Sequence, residues 1–118
     1  MPEINPNVLL FGRHHSDYMG VVDYDLETGW SAPTIRPFEK LKLNPFVSCL
    51  HYGLQCFEGM KAYKNGQGNI RLFRPECNAL RLKRSSARLS LPDFDGEEFV
   101  KFVEQFILAE ERWIPPVS

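Results

Sequence analysis

The sequence has little of what membrane, secreted and nucleic-acid-binding chains carry in excess. Its three cysteines, Cys49, Cys56 and Cys77, are an odd number with no Cys-x-x-Cys pair. That argues against a disulfide framework and suits a reducing compartment. No apolar run approaches the roughly 20 residues of a membrane span. The first residues, MPEINPNVLLFGRHH, lack a basic stretch followed by a long apolar one, so no signal peptide is expected. A cytosolic address is the expectation, and a mitochondrial one requires a leader missing from these residues. Charge of one sign is lacking too. The 14 Lys and Arg nearly cancel the 15 Asp and Glu, leaving no field to hold the chain on nucleic acid or an anionic membrane. There is no repeat and no low-complexity tract.

What is present fits one globular unit. The chain has 118 residues, enough for one domain and too few for two. Hydrophobic residues make up 43% and aromatics 13%, which argues against disorder. Asp17 to Asp25, DYMGVVDYD, reads as a strand that breaks at the turn signal Glu27-Thr28-Gly29. Pro33 to Phe38 can pair with it at an edge. Cys56 to Tyr63 and Asn69 to Phe73 flank KNGQG, whose Asn-Gly dipeptide favours a β-hairpin. The period then changes from two to 3.6. Pro75 opens a helix, Leu80, Ala87 and Leu91 form its stripe, and Pro92 ends it. Asp95 and Glu98 form a capping signature. The helix behind it carries Phe99, Phe102, Val103, Phe106 and Ile107 on one face. Strands followed by two helices predict an α+β layer, mainly antiparallel sheet with two packed helices.

Few residues suggest chemistry on their own. His14, His15, His51 and the cysteines offer no ligand-like spacing except two adjacent histidines, which point to opposite faces of an extended segment. No metal site is expected. Ser85 and Ser86 have no nucleophile elbow around them. Arg81, Arg84 and Arg88 share a helix face with Lys83 alongside. That face can be plainly solvated, can meet nucleic acid, or can hold an anion near the helix start, where free N–H groups and a guanidinium fork both suit phosphate. Periodicity does not choose among the three. In LHYGLQCFEGMKAY, residues 50–63, Gly59 suggests a close approach or bulge. Tyr52 and Phe57 there can line a small apolar pocket or an ordinary core.

These last segments carry a resemblance. LHYGLQCFEGMKAY followed by IRLFRPECNALRLKRSSARLSLP is similar to the N-terminal part of the branched-chain-amino-acid aminotransferases. These belong to the class IV, D-alanine aminotransferase-like group of pyridoxal-phosphate enzymes. The likeness begins at Phe11-Gly12 and Asp17-Tyr18-Met19, passes Gly29-Trp30 and residues 41–45, and reaches Arg112-Trp113-Ile114-Pro115. Its LFRP and W-x-P wording resembles the eukaryotic branch, fungal members in particular.

The resemblance implies a fold-type IV small domain and transfer of the amino group of leucine, isoleucine or valine to 2-oxoglutarate. The implied cofactor is pyridoxal 5'-phosphate and the implied assembly a homodimer. The family's phosphate-binding arginine matches Arg81. Its substrate-pocket tyrosine and phenylalanine match Tyr52 and Phe57, the tyrosine being supplied across the dimer. His15 departs from the aromatic residue often found there. The Schiff-base lysine has no counterpart among Lys40, Lys42, Lys61, Lys64, Lys83 and Lys101, so no catalytic residue is assigned. Residues 1–118 are then expected to be an incomplete N-terminal small domain, the C-terminal cofactor-binding domain absent. Such a chain is expected to have no transaminase turnover by itself, and its Phe99 to Ile107 stripe to lack part of its cover. A truncated subunit that binds a full-length aminotransferase, D-amino-acid transamination and aminodeoxychorismate lysis remain alternatives.

Overall fold

The computed structural model describes residues 5, 8–10 and 12–116. Phe11, part of the N-terminal likeness, and residues 117–118 of the proline-rich exit lie outside the described residues. Strands come first. β1 (Tyr18–Val21) pairs antiparallel with β4 (Thr34–Pro37), Tyr18 opposite Pro37 and Val21 opposite Thr34. Between them the chain folds into a small hairpin of β2 (Tyr24–Asp25) and β3 (Gly29–Trp30). Asp25 Oδ1 builds its turn, accepting from the N–H groups of Glu27 at 2.8 Å and Thr28 at 3.1 Å. Gly29 closes the turn at φ +77°, a left-handed conformation that glycine adopts without steric cost.

The segment expected to run as a strand from Cys56 does not. A short helix, α1 (Ser48–Tyr52), comes first and stops at Gly53, which is left-handed at φ 63°. The second hairpin contains only β5 (Ala62–Lys64) and β6 (Ile70–Leu72), with Lys64 opposite Ile70. Its loop is not a two-residue Asn-Gly turn. The Asn65 side chain instead accepts from the N–H groups of Gln67 at 3.0 Å and Asn69 at 2.9 Å. The far edge of β5 is taken by the chain exit, because Lys64 N–H donates to Pro115 O at 2.9 Å.

Two longer helices follow. α2 (Pro75–Arg88) has proline in its first turn as predicted. It ends before Pro92 rather than at it. Ser90 is left-handed at φ 56°, Ser90 N–H donates to Ala87 O, and Leu91 N–H donates to Ser86 O at 2.9 Å. This is a Schellman closure with serine where glycine is usual. α3 (Gly96–Ala109) starts at Asp95, which accepts from the N–H groups of Glu97 and Glu98 at 2.8 and 3.0 Å. Glu98 does not reach back to complete a capping box. Its carboxylate holds Lys101 at 2.6 Å.

The two helices meet through small residues. Ala79 and Ser86 are the buried positions of α2, whereas Leu80 and Ala87 of the expected stripe are exposed. The reason is close approach. A Cβ on Gly96 would lie 3.7 Å from that of Ala79 and 3.6 Å from Lys83 Cδ, a separation leucines at the contact would prevent. The aromatic stripe of α3 does face inward, with Phe99, Phe102, Val103, Phe106 and Ile107 all half-buried. Gly20 of β1 lies against Phe102 and Phe106. Two polar ties close the layer. Trp30 Nε1–H donates to Asp93 O at 2.7 Å. At the other end Asp17 Oδ2 accepts from Arg112 Nε at 2.8 Å and Trp113 Nε1 at 3.2 Å.

The layer is thin. Accessible surface is 9779 Å², against about 6,600 Å² for a compact monomer of this mass. Ala79 is the one buried apolar residue among those described. The Phe99 to Ile107 stripe is only half-buried, and Phe99 and Phe102 border an open cleft. The most exposed apolar side chains lie elsewhere, on Leu26, Phe46, Tyr52, Phe57 and Phe73. The α+β architecture with short antiparallel pairs and two principal helices stands.

The contact at Gly20 leaves little room, since an added Cβ would sit 3.0 Å from Phe102 Cζ. Gly20→Val is expected to destabilise the fold by about 1–3 kcal/mol through overpacking, read as a lower urea midpoint. A value within experimental error of the parent would show that α3 does not seat on β1 as described.

Candidate functional site

Three residues were singled out by sequence, and the fold treats them differently. Arg81 lies in the second turn of α2, its side chain 67% exposed. Tyr52 is the last residue of α1 and is 82% exposed. Phe57 lies in the extended segment leading to β5 and is 91% exposed. Among the described residues no hydrogen bond or ring contact joins Tyr52 or Phe57 to Arg81 or to each other. The two aromatics therefore do not form a closed pocket within this chain. Arg84 and Arg88 are exposed and make no ion pair among the described residues, as a solvated helix face does.

Arg81 is different because it is gripped. Its Nε donates to Glu58 Oε2 at 2.6 Å, and its Nη2 donates to Glu58 Oε1. The pair is the two-point fork that a guanidinium and a carboxylate match best. Glu58 itself is nearly covered, its side chain 8% exposed. Its Oε1 also accepts from Asn78 Nδ2 at 3.1 Å and from Gly59 N–H at 2.9 Å. Asn78 Nδ2 reaches Gly59 O as well, at 2.8 Å. Asn78 and Arg81 are three apart on one face of α2, so both meet the same chain segment. The Arg81 hydrogen bonds hold the Glu58 carboxyl down at about 2, against an ordinary 4.5, with Asn78 and Gly59 N–H adding to the effect and burial opposing it. The same pair pushes the Arg81 pKa upward.

Beside the pair lies a cavity of about 280 Å³ lined by Phe73, Arg74, Cys77, Asn78 and Arg81. Arg74 caps the start of α2 in a left-handed conformation, φ 48°. Its Nη2 donates to the Cys77 thiol at 3.2 Å. No hydrogen bond occupies Arg81 Nη1 among the described residues. The arrangement presents two guanidinium groups and an amide at the first turns of a helix, where free N–H groups add to the attraction for an anion. A larger cleft of about 710 Å³ runs between the β2–β3 hairpin and the helices, lined largely by Tyr24, Trp30, Leu82, Phe94 and Phe99. None of Tyr52, Phe57 and Arg81 borders it.

Sequence reasoning missed Glu58, Asn78 and Arg74. In the sequence Glu58 only interrupts an apolar stretch. An acidic side chain in such a place needs a cationic partner, and that requirement was the signal. Among the described residues no three His, Cys, Asp or Glu side chains gather as a metal set. No described helix is long and apolar enough to cross a membrane. His15 stacks on Phe38 at 3.6 Å between ring centroids.

No protein-family model matches the chain. Individual proteins do. The chain is 48% identical over 107 residues to the branched-chain-amino-acid aminotransferase of Monosiga brevicollis, covering 91% of the chain and 27% of that protein. It is 43% identical over 112 residues to the cytosolic branched-chain-amino-acid aminotransferase of Caenorhabditis elegans, covering 95% and 27%. With the mitochondrial branched-chain-amino-acid aminotransferase of Mus musculus the identity is 48% over 107 residues, covering 91% and 27%. The chain spans about a quarter of the length of the curated relatives it matches.

The Glu58–Arg81 pair carries a pH signature. A folded-state pKa of about 2, below the ordinary 4.5, means that the pair's contribution is fully present above about pH 4.5 and is lost as pH falls toward 2. The urea midpoint of the parent should fall more than that of Glu58→Gln across this window. Since other carboxylates are common to both proteins, the difference isolates Glu58. Parallel curves would contradict the pairing.

Proposed function

We propose that this chain, a homologue of one part of the branched-chain-amino-acid aminotransferases, supplies the phosphate anchor and part of the side-chain pocket of such an enzyme. The reaction is transfer of the amino group of leucine, isoleucine or valine to 2-oxoglutarate, giving branched-chain 2-oxo acids and glutamate. The observation that carries this reading is identity of 41–48% over 91–95% of the chain. The named relatives all bear the branched-chain name, which favours it over the sister activities. Cytosolic and mitochondrial forms are both among them, so either address fits.

Pyridoxal 5'-phosphate, when bound, supplies the electron sink for chemistry at the amino-acid α-carbon. The residues present suit its phosphate. Arg81 borders a cavity that it shares with Arg74 and Asn78, and its Nη1 has no hydrogen bond among the described residues. Arg81 would hold the phosphate, and Tyr52 and Phe57 would meet the branched side chain once a covering body closes over them. Their exposure in this chain agrees with walls contributed to a larger site. In this reading residues 1–118 form part of the N-terminal small domain of a fold-type IV enzyme, which works as a homodimer. The lysine that carries the cofactor belongs to the C-terminal domain. Lys64, Lys83 and Lys101 are engaged with Glu111, Asp93 and Glu98, as structural lysines are. These 118 residues by themselves are expected to form no glutamate from leucine and 2-oxoglutarate.

A chimera tests the reading. The matched 107 residues replace their counterpart in the mouse mitochondrial relative, and leucine-dependent glutamate formation is measured. The folded chimera should be active. Arg81→Ala should weaken its affinity for pyridoxal phosphate by roughly 10- to 100-fold, the size of a lost charge-assisted pair. A folded but inactive chimera, or an Arg81→Ala variant with unchanged cofactor affinity, would contradict it.

A further inference from the structure

Arg81 is a long side chain with four rotatable bonds, and an unrestrained one spends little time in any single pose. Here two of its nitrogens are fixed by a carboxylate that is itself fixed. Glu58 is 8% exposed at its side chain and holds, besides the fork, the Asn78 amide and the Gly59 N–H. Asn78 in turn ties down Gly59 O. The remaining edge of the guanidinium, Nη1, makes no hydrogen bond among the described residues, and Arg81 borders the cavity lined also by Arg74, Cys77 and Phe73.

The charges make this arrangement unexpected for an anion site. Glu58 cancels Arg81, so Arg74, whose guanidinium among the described residues meets only the Cys77 thiol at 3.2 Å, provides the remaining positive charge among the residues that line the cavity. A site selected for potential alone would omit the carboxylate. Retaining a nearly covered carboxylate beside the anchoring cation is explained by geometry instead.

We propose that Glu58, braced by Asn78, is the positioning residue that orients Arg81 toward a phosphate-bearing ligand. The proposal rests on the reading of Arg81 as a phosphate anchor given above. It makes an opposite prediction from electrostatics. Deleting the Glu58 charge raises the local positive potential and on that ground alone tightens anion binding. Loss of orientation weakens it.

The probe is inorganic phosphate added to the 118-residue chain, followed by the 1H–15N signal of Arg81 Nε–H at fixed ionic strength. Parent, Glu58→Gln, Glu58→Asp and Arg81→Ala are compared, with far-ultraviolet circular dichroism as the check on folding and amide shifts of α2 replacing the lost signal in the last variant. Glu58→Gln should bind phosphate roughly threefold to tenfold more weakly despite its more positive site, through restored Arg81 rotamer freedom. Glu58→Asp keeps the charge but falls short of the fork, and it should weaken binding similarly. That second variant decides the matter if Glu58→Gln does not fold. Tighter or unchanged binding in the folded Glu58 variants, with binding abolished in Arg81→Ala, would overturn the positioning role and leave the anchor intact. Phosphate binding by Arg81→Ala equal to the parent, or none by the parent, would overturn the anchor and the positioning role together.

Discussion

One carboxylate joins the extended segment to the helix. Between Gly53 and Ala62 the backbone has no strand partner among the described residues, so the usual ladder of main-chain hydrogen bonds is missing there. Side chains take its place. Glu58 receives Arg81 and Asn78 from α2, Asn78 reaches Gly59 O, and Cys56 Sγ approaches Ser86 Oγ at 3.5 Å. The position of Phe57 follows from this anchorage, because its neighbour in sequence is pinned to the helix. The same carboxylate sets the pose of Arg81. Scaffold and candidate site therefore share one contact, and a change at Glu58 acts on both.

The thinness of the layer bears on how such a site is completed. Surface of 9779 Å², roughly half again that of a compact monomer of the same mass, leaves large apolar side chains in water. The most exposed aromatic ones, Phe46, Phe57, Tyr52 and Phe73, come from the stretch that holds the proposed pocket walls and from the residue just before Arg74. The packed aromatic residues belong to α3 and hold the scaffold. Exposure thus separates the two roles. The α3 stripe stabilises this unit, while under the proposed function the Tyr52 and Phe57 faces would be covered by the rest of the enzyme.

Much of the scaffold was legible because its signals are local. The α3 stripe at i, i+3, i+4, i+7 and i+8, the Asp95 cap, Pro75 at a helix start and the Asp25–Gly29 turn each depend on residues within a few positions. What failed depended on distance. The strand expected from Cys56 is shortened to β5, its first part held instead by the Glu58 anchorage, which involves residues 20 and 23 positions away. The expected α2 stripe follows the large residues, whereas small residues, Ala79 and Ser86, determine how closely the helices approach. Among the site residues, Arg81 was legible as a cation near a helix start and was singled out by resemblance. Glu58, Arg74 and Asn78 were not, since a cavity and a two-point ion pair exist only after folding.

The central claim is that Arg81, held by Glu58, is where the phosphate of pyridoxal phosphate is bound. A crystal structure of the chimeric enzyme with that cofactor tests it most directly. The account predicts a phosphate oxygen within hydrogen-bond distance of Arg81 Nη1, with Nε and Nη2 still on Glu58. A phosphate held by other residues, with the Arg81 guanidinium turned to solvent, would contradict it.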